Sequence, residues 1–207
     1  MGMTSQQRTE PSTDGRRRRS EVSRDRIVAA MLALVEEGAI SPSAEDVAVR
    51  ARVGLRSVFR HFSDMDNLYA EMTLRLAQGY ETALAPFESS DWRGRLVEAT
   101  ERRTAIFERL LPFKRAADAH RHESPAIQSH HEGITLMLRT RLLALMPPHL
   151  ENNTIVFESL DLLLSIDTWA RLRFEQALTP EIARDVITAQ IGLLIKEQAP
   201  LCPAQPN

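Results

Sequence analysis

The segment VGLRSVFRHF, residues 53–62, carries Arg56, Ser57, Arg60 and His61 in one short span. At about 100° per residue of a helix, Leu55, Val58, Phe59 and Phe62 fall in one contiguous sector, and the four polar residues fill the other. A helix this short does not persist alone in water, so its apolar half must dock on neighbouring helices. Docking fixes the other half outward, and a rigid cationic face suits a polyanion.

Other chemistry-bearing residues form weaker patterns. His120 with His122, and His130 with His131, invite a metal reading, but neither spacing puts two ligands on one helix face as i, i+4 does. The single cysteine, Cys202, allows no internal disulfide and no thiolate cluster. The expectation is a solvated polar segment, with no metal and no cofactor. The spacings G-x-S-x-G, H-E-x-x-H, G-x-G-x-x-G and the P-loop are absent from the sequence, so nothing supports an enzyme. A catalytic set assembled from distant residues of an all-α enzyme is the one such alternative left open.

The chain of 207 residues is 43% hydrophobic and 26% charged, which is the composition of a globular protein rather than a disordered one. Its net charge of −2 hides a division. Residues 1–62 hold 11 Arg against 8 Asp and Glu, whereas residues 63–207 hold 15 Lys and Arg against 20 Asp and Glu. A basic front on an acidic body fits an end that faces nucleic acid joined to one that does not. No apolar run is long enough to span a membrane, and the first 25 residues lack the apolar core of a secretory signal. Gln6 stands where a myristoylation signal needs Ser or Thr. The expected compartment is the reducing cytoplasm, with no membrane partner.

The elements that must position the cationic face follow from periodicity and caps. Residues 1–19, polar and aperiodic, read as a disordered basic arm carrying Arg16, Arg17, Arg18 and Arg19. A first helix places Ile27, Ala30, Met31, Leu34 and Val35 on the i, i+3, i+4, i+7, i+8 template and stops at Gly38. Ser43, with Asp46 three residues on, is a capping-box variant that opens a second helix. After a break at Arg52, Val53 and Gly54, the cationic segment makes the third, with Gly54 as N-cap. Two short helices around a three-residue turn, the second basic outward, form a helix-turn-helix, assigned to residues 20–64.

Residues 65–198 show helical periodicity only, so the fold class is all-α: a three-helix DNA-binding unit followed by a helical bundle. Pro112 should end or kink a helix near Leu111. Ser124 and Pro125 open another helix, residues 154–177 read as one long helix, and Pro180 begins the last. Residues 199–207 read as a flexible tail. The helix around residues 155–174 is apolar around nearly its whole circumference, and the last helix has a wide apolar stripe. Leu160, Leu163, Leu164, Ile187, Ile191 and Leu194 are therefore candidates for an isologous four-helix contact between two copies. Burial of the same surface within one copy is the alternative. Asp167 and Arg171, at i, i+4, are spaced for a surface or interface ion pair.

The run from Arg26 to Met72 resembles the N-terminal region of the TetR family of bacterial transcriptional regulators. The resemblance rests on Val47–Ala48, Ala51, Val53, the block Ser57-Val58-Phe59-Arg60-His61-Phe62, and Leu68, in order after a helix of the right length. It implies a homodimer that lays the third helix of each subunit in a major groove of a two-fold symmetric operator. Leu55, Arg56, Ser57 and Phe59 then sit where the family contacts base edges, and His61 and Arg60 sit at phosphates. Ser43 and Ala44 lie where helix-start amides meet another phosphate, and Arg16–Arg19 attract and position. Leu55 and Phe59 are assigned to the buried side by the helical wheel, so the two readings conflict there.

The resemblance also implies that the acidic bundle binds a small apolar effector that releases a repressor from DNA, with Tyr80, Trp92, Phe107, Phe113, Met137 and Trp169 as candidate pocket linings. The residues themselves fit an activator equally well. They also fit a regulator controlled by a protein partner without any small ligand. Four positions depart from the family pattern: Arg52 for a frequent Gly, Gly54 for a Ser-like cap, Phe59 for Tyr and Met65 for a phosphate-binding Lys. At Arg52, either the turn tolerates a non-glycine conformer or the break shifts by one residue.

Overall fold

The computed structural model describes residues 13–77, 85–150 and 152–197. Among the described residues the elements are helices, as the periodicity predicts: α1 (Thr13–Glu36), α2 (Ala44–Ala51), α3 (Leu55–His61), α4 (Met65–Ala77), α5 (Trp92–His120), α6 (Pro125–Leu143), α7 (Thr154–Leu163), α8 (Ile166–Ala170), a π-helical turn over Arg171–Glu175, and α9 (Pro180–Glu197). None is long and apolar enough to cross a membrane. The chain divides into two compact units, Met1–Met72 and Thr73–Asn207. The division falls inside α4 rather than before it, because the first turns of α4 are bound to the first unit. Arg24 of α1 grips Glu71 with hydrogen bonds of 2.9 and 2.7 Å, and Tyr69 donates to the Ile40 carbonyl at 3.4 Å.

In the first unit, caps set the helix ends. Gly38, at φ +103°, takes the left-handed conformation that closes α1. Its N–H donates to Val35 O at 2.9 Å, and that of Ala39 to Leu34 O at 3.0 Å, the paired bonds of a Schellman motif. The capping box at α2 forms as expected: Ser43 Oγ accepts from the Asp46 N–H at 3.1 Å, and the Ser43 N–H donates to Asp46 Oδ2 at 3.0 Å. Arg52 ends α2 at φ 53°, ψ 48°, so the turn keeps its register with a non-glycine left-handed residue. Arg26 donates to the Ala51 and Arg52 carbonyls from outside the turn, satisfying acceptors that the helix end leaves over.

Three expectations fail, each for a physical reason. The arginine run is not part of an unstructured arm from its first to its last residue, because α1 starts at Thr13. Arg17 pairs with Glu21 at i, i+4, and Arg19 Nε donates to Gly15 O, both contacts that favour helix. Residues 1–12 and 198–207 lie outside the described residues. Of the two outcomes expected at Pro112, an end or a kink, the end does not occur: α5 continues through it to His120. The loss of a hydrogen bond at proline is offset by burial on either side, where Phe107, Leu111, Phe113 and Ala116 are all less than 9% exposed. The single helix expected over residues 154–177 breaks at Ser165, whose hydroxyl accepts from the Thr168 N–H at 3.1 Å and starts α8 afresh.

The second unit's core gathers Leu96, Phe107 and Leu111 of α5 with Val156, Leu160, Leu164, Trp169, Ile187 and Ile191. Trp169 is 1% exposed and donates Nε1–H to Glu108 at 3.0 Å, and the π-helical turn brings Arg173 onto the same carboxylate with two bonds of 2.9 Å. Four of the proposed contact residues are therefore corrected: Leu160, Leu164, Ile187 and Ile191 are filled by their own chain. Leu163 and Leu194 are only partly buried against that core. The outward stripe of α9 is instead Ile182, Val186 and Leu193, each at least 37% exposed.

Candidate nucleic-acid interface and ligand cavity

Helix α3 is clamped by Val58 and Phe62, which are 1% and 3% exposed, whereas Leu55 and Phe59 are 37% and 48% exposed. The wheel's assignment of Leu55 and Phe59 to the buried side is thus corrected. The neighbouring helices cover only part of the apolar sector, and its flank stays in solvent. Arg56 lies exposed beside them and makes no ion pair or side-chain hydrogen bond among the described residues. Arg60 reaches back to Ser57 Oγ at 2.8 Å. The outer surface of α3 therefore mixes two guanidinium groups with two accessible apolar side chains, which can meet both phosphates and base edges.

The flanking residues are less open than their positions suggest. The Ser43 N–H is consumed by Asp46 and the Asp46 N–H by Ser43 Oγ, so at the helix start the amides left for an anion are those of Ala44, which is 6% exposed, and Glu45, beside the acidic Glu45 and Asp46. His61 keeps Nε2 buried without a hydrogen-bond partner. Burial, then Arg60 and Arg24, hold its imidazole below the ordinary histidine value, so it presents a neutral ring rather than a cation. Arg17, Arg18 and Arg19 are exposed on the first turns of α1, while the side chain of Arg16 lies outside the described residues. Arg24, unremarked in the sequence, stacks over Phe62 at 5.1 Å while bound to Glu71, which braces α3 from behind.

The second unit contains a cavity of about 430 Å³ between α5, α6 and the α7–α8 corner. Of the candidate pocket residues, Phe107 and Phe113 line it, together with Ile127, Ile134, Leu138 and Leu162. Three other candidates do not line it. Trp169 is core, Trp92 packs edge-on against His149 at 6.5 Å, and Met137 is turned elsewhere on α6. Tyr80 lies outside the described residues.

Charged groups on the cavity wall were not legible as such. Lys114 bonds Asp118 at 2.6 Å and Asp167 at 2.7 Å, so Asp167 pairs across the bundle with α5 and not with Arg171. Burial pulls the Lys114 ammonium down, but these carboxylates outweigh it and hold it above the usual lysine value. His130 and His131 line the cavity instead of a solvated segment. Burial lowers both, and His131 Nε2 lies 3.1 Å from Arg121 Nη1, which requires that nitrogen unprotonated. Asp161 and Glu158 are held by Arg139 at 2.6 and 2.7 Å. Among the described residues no group of three or more His, Cys, Asp or Glu is arranged to hold a metal.

No family model matches the chain, and no curated protein matches it. Solved structures do. A transcriptional regulator from Rhodococcus sp. Rha1 superposes with a TM-score of 0.66 at 23% identity, over 87% of this chain and 100% of that one. A protein assigned as a transcriptional regulator from Pseudomonas aeruginosa PAO1 gives 0.65 at 20% identity, over 91% and 93%. A multidrug binding protein, EbrR, solved with imidazole, gives 0.52 at 18% identity, over 80% and 93%. At these identities the likeness establishes the fold: short N-terminal helices in a helix-turn-helix arrangement, then a helical bundle.

Proposed function

We propose that the protein is a dimeric, sequence-specific DNA-binding transcriptional regulator of the TetR type, whose C-terminal cavity takes a small, largely apolar effector. The observation that carries this reading is the outer face of α3, where Arg56 stands unpaired beside exposed Leu55 and Phe59. Two accessible apolar side chains next to an unpaired guanidinium suit a partner that offers both chemistries, as a thymine methyl beside a guanine edge does. Arg56 reads bases; Ser57 and Phe59 complete the groove contact; Arg60 and Arg17–Arg19 engage phosphates.

Dimerisation uses the outward stripe of α9, where Ile182, Val186 and Leu193 recur at helical spacing, and would hold two copies of α3 about 34 Å apart, one turn of DNA. A cavity that sets several large apolar side chains beside charged groups suits a small effector, and coupling of about 1–3 kcal/mol between cavity and DNA is enough to regulate. EbrR, described as binding multiple drugs, supports that use of the fold.

Footprinting on DNA flanking the protein's own gene, with and without small-molecule cell extract, tests the reading. The expected result is a two-fold symmetric protected site, lost on adding extract, with affinity falling steeply as salt rises. Arg56→Ala should relax base preference, whereas replacing Arg17–Arg19 by glutamine should weaken binding to all sequences alike and flatten the salt slope. Indifference of the wild type to every duplex at low salt would overturn it.

A further inference from the structure

Arg103, on α5, differs from every other charge on the cavity wall. It is 6% exposed, and it takes part in none of the ion pairs among the described residues. Its Nη2 donates to Leu138 O at 2.7 Å and its Nη1 to Leu164 O at 3.3 Å. A guanidinium has five N–H donors, so two carbonyls leave most of its capacity unused while it faces the cavity. Burial pulls its pKa down to about 10, with nearby Asp161 working the other way; the side chain still carries its proton at neutral pH. A buried cation with incomplete partners is costly.

The surrounding charges leave this cost uncorrected. Asp161 acts on Arg103, but Arg139 already holds both Asp161 and Glu158. Arg141 adds a further positive charge close enough to lower Arg103. Asp118 and Asp167 are turned to Lys114, and Asp118 also to Arg121 at 3.8 Å, rather than to Arg103. Arg103 is thus the cation of the wall left without an ion pair among the described residues, and apolar side chains line the same cavity: Phe107, Phe113, Ile127, Ile134, Leu138 and Leu162.

We infer that the effector is an amphipathic organic acid, its carboxylate bonded to the free N–H groups of Arg103 and its hydrocarbon body lying along the apolar wall. The inference rests on the reading of this cavity as the effector site and adds the ligand's charge and orientation. Binding would complete the ion pair that the folded chain leaves open. It would also tie α5 more firmly to α6 and to the end of α7, since Arg103 already bridges their carbonyls.

Calorimetric titration of the full-length protein with decanoate, its neutral counterpart decanamide and the cation decylammonium tests this. Decanoate should bind about tenfold or more tighter than decanamide, the margin of a charge-assisted hydrogen bond, and decylammonium weakest. Arg103→Gln should erase the preference of acid over amide while leaving amide binding in place. The wild-type series stands by itself should that variant fail to fold. Equal affinity for acid and amide, or a preference for the cation, overturns the carboxylate assignment and leaves the effector cavity standing. No binding by any of the three, with operator occupancy unmoved, overturns both.

Discussion

The two units place charge in opposite ways. In the first, the arginines proposed to meet DNA point outward from α3 and α1, where water solvates them at little cost and a polyanion can displace that water. The rigidity behind them comes from apolar contacts, Val58 and Phe62, and from Arg24 bridging to Glu71. In the second, charged groups turn inward around a cavity, and nearly every one is closely partnered because an isolated charge there is costly. On the proposed function, a surface that meets a large polyanion tolerates free cations. An interior that takes a small ligand would tolerate only the one that the ligand itself can satisfy.

The strongest way to break that contrast is to remove one large aromatic side chain from each unit. Trp169→Ala deletes a side chain that is 1% exposed and leaves Glu108 without its indole donor. It should cost about 3–5 kcal/mol, read as a large fall in the denaturation midpoint. Phe59→Ala removes a side chain 48% exposed and should change stability by no more than about 0.5 kcal/mol, while weakening operator binding. Should Phe59→Ala prove as destabilising as Trp169→Ala, α3 is not the exposed reading surface described above.

How much the sequence revealed follows the same divide. The first unit was readable because its determinants are local: the Ser43–Asp46 box spans three residues, and Gly38 closes α1 within one turn. The exposure of Leu55 and Phe59 follows from the family resemblance but not from the helical wheel, since a wheel orders side chains by angle without saying how far the neighbouring helices reach around. In the second unit the helices were visible but their joints were not. Burial of Leu111 and Phe113 carried α5 through Pro112, and one serine cap at residue 165 interrupted a stretch apolar on all sides. The cavity was the least legible part. Lys114 meets Asp167, and Arg103 meets Leu164 O, only once distant helices pack, and no local spacing encodes such pairs.

Acidification should sharpen the contrast by a smaller amount. Burial holds His61, His130 and His131 below the ordinary histidine value. Below about pH 6.5, the usual histidine range, the unfolded chain therefore takes up protons that the native chain resists. Stability is unaffected by these groups above that pH and is lost as pH falls from it toward the lowered native values. Both tryptophans, Trp92 and Trp169, lie in the second unit, so their fluorescence follows the unit with two of the three histidines. Its thermal midpoint should drop between pH 7.5 and 5.5, and His130→Gln with His131→Gln should reduce the drop. A fluorescence midpoint equally pH-dependent in wild type and double variant would place the acid sensitivity elsewhere.

The smallest effect concerns the turn between α2 and α3. Arg52 holds φ 53° with a side chain that is exposed, and a left-handed residue with a Cβ costs about 1–2 kcal/mol. Glycine removes that strain but loses more backbone entropy on folding, about 0.5–1 kcal/mol. Arg52→Gly should therefore raise stability by up to about 1 kcal/mol, read as a higher denaturant midpoint, whereas Arg52→Ala keeps the Cβ and should give no gain. If glycine and alanine behave alike, the left-handed turn is not strained. The first unit would then owe its geometry to the Arg26 bonds on the Ala51 and Arg52 carbonyls, and Arg26→Ala would become the substitution that loosens α3 and its hold on DNA.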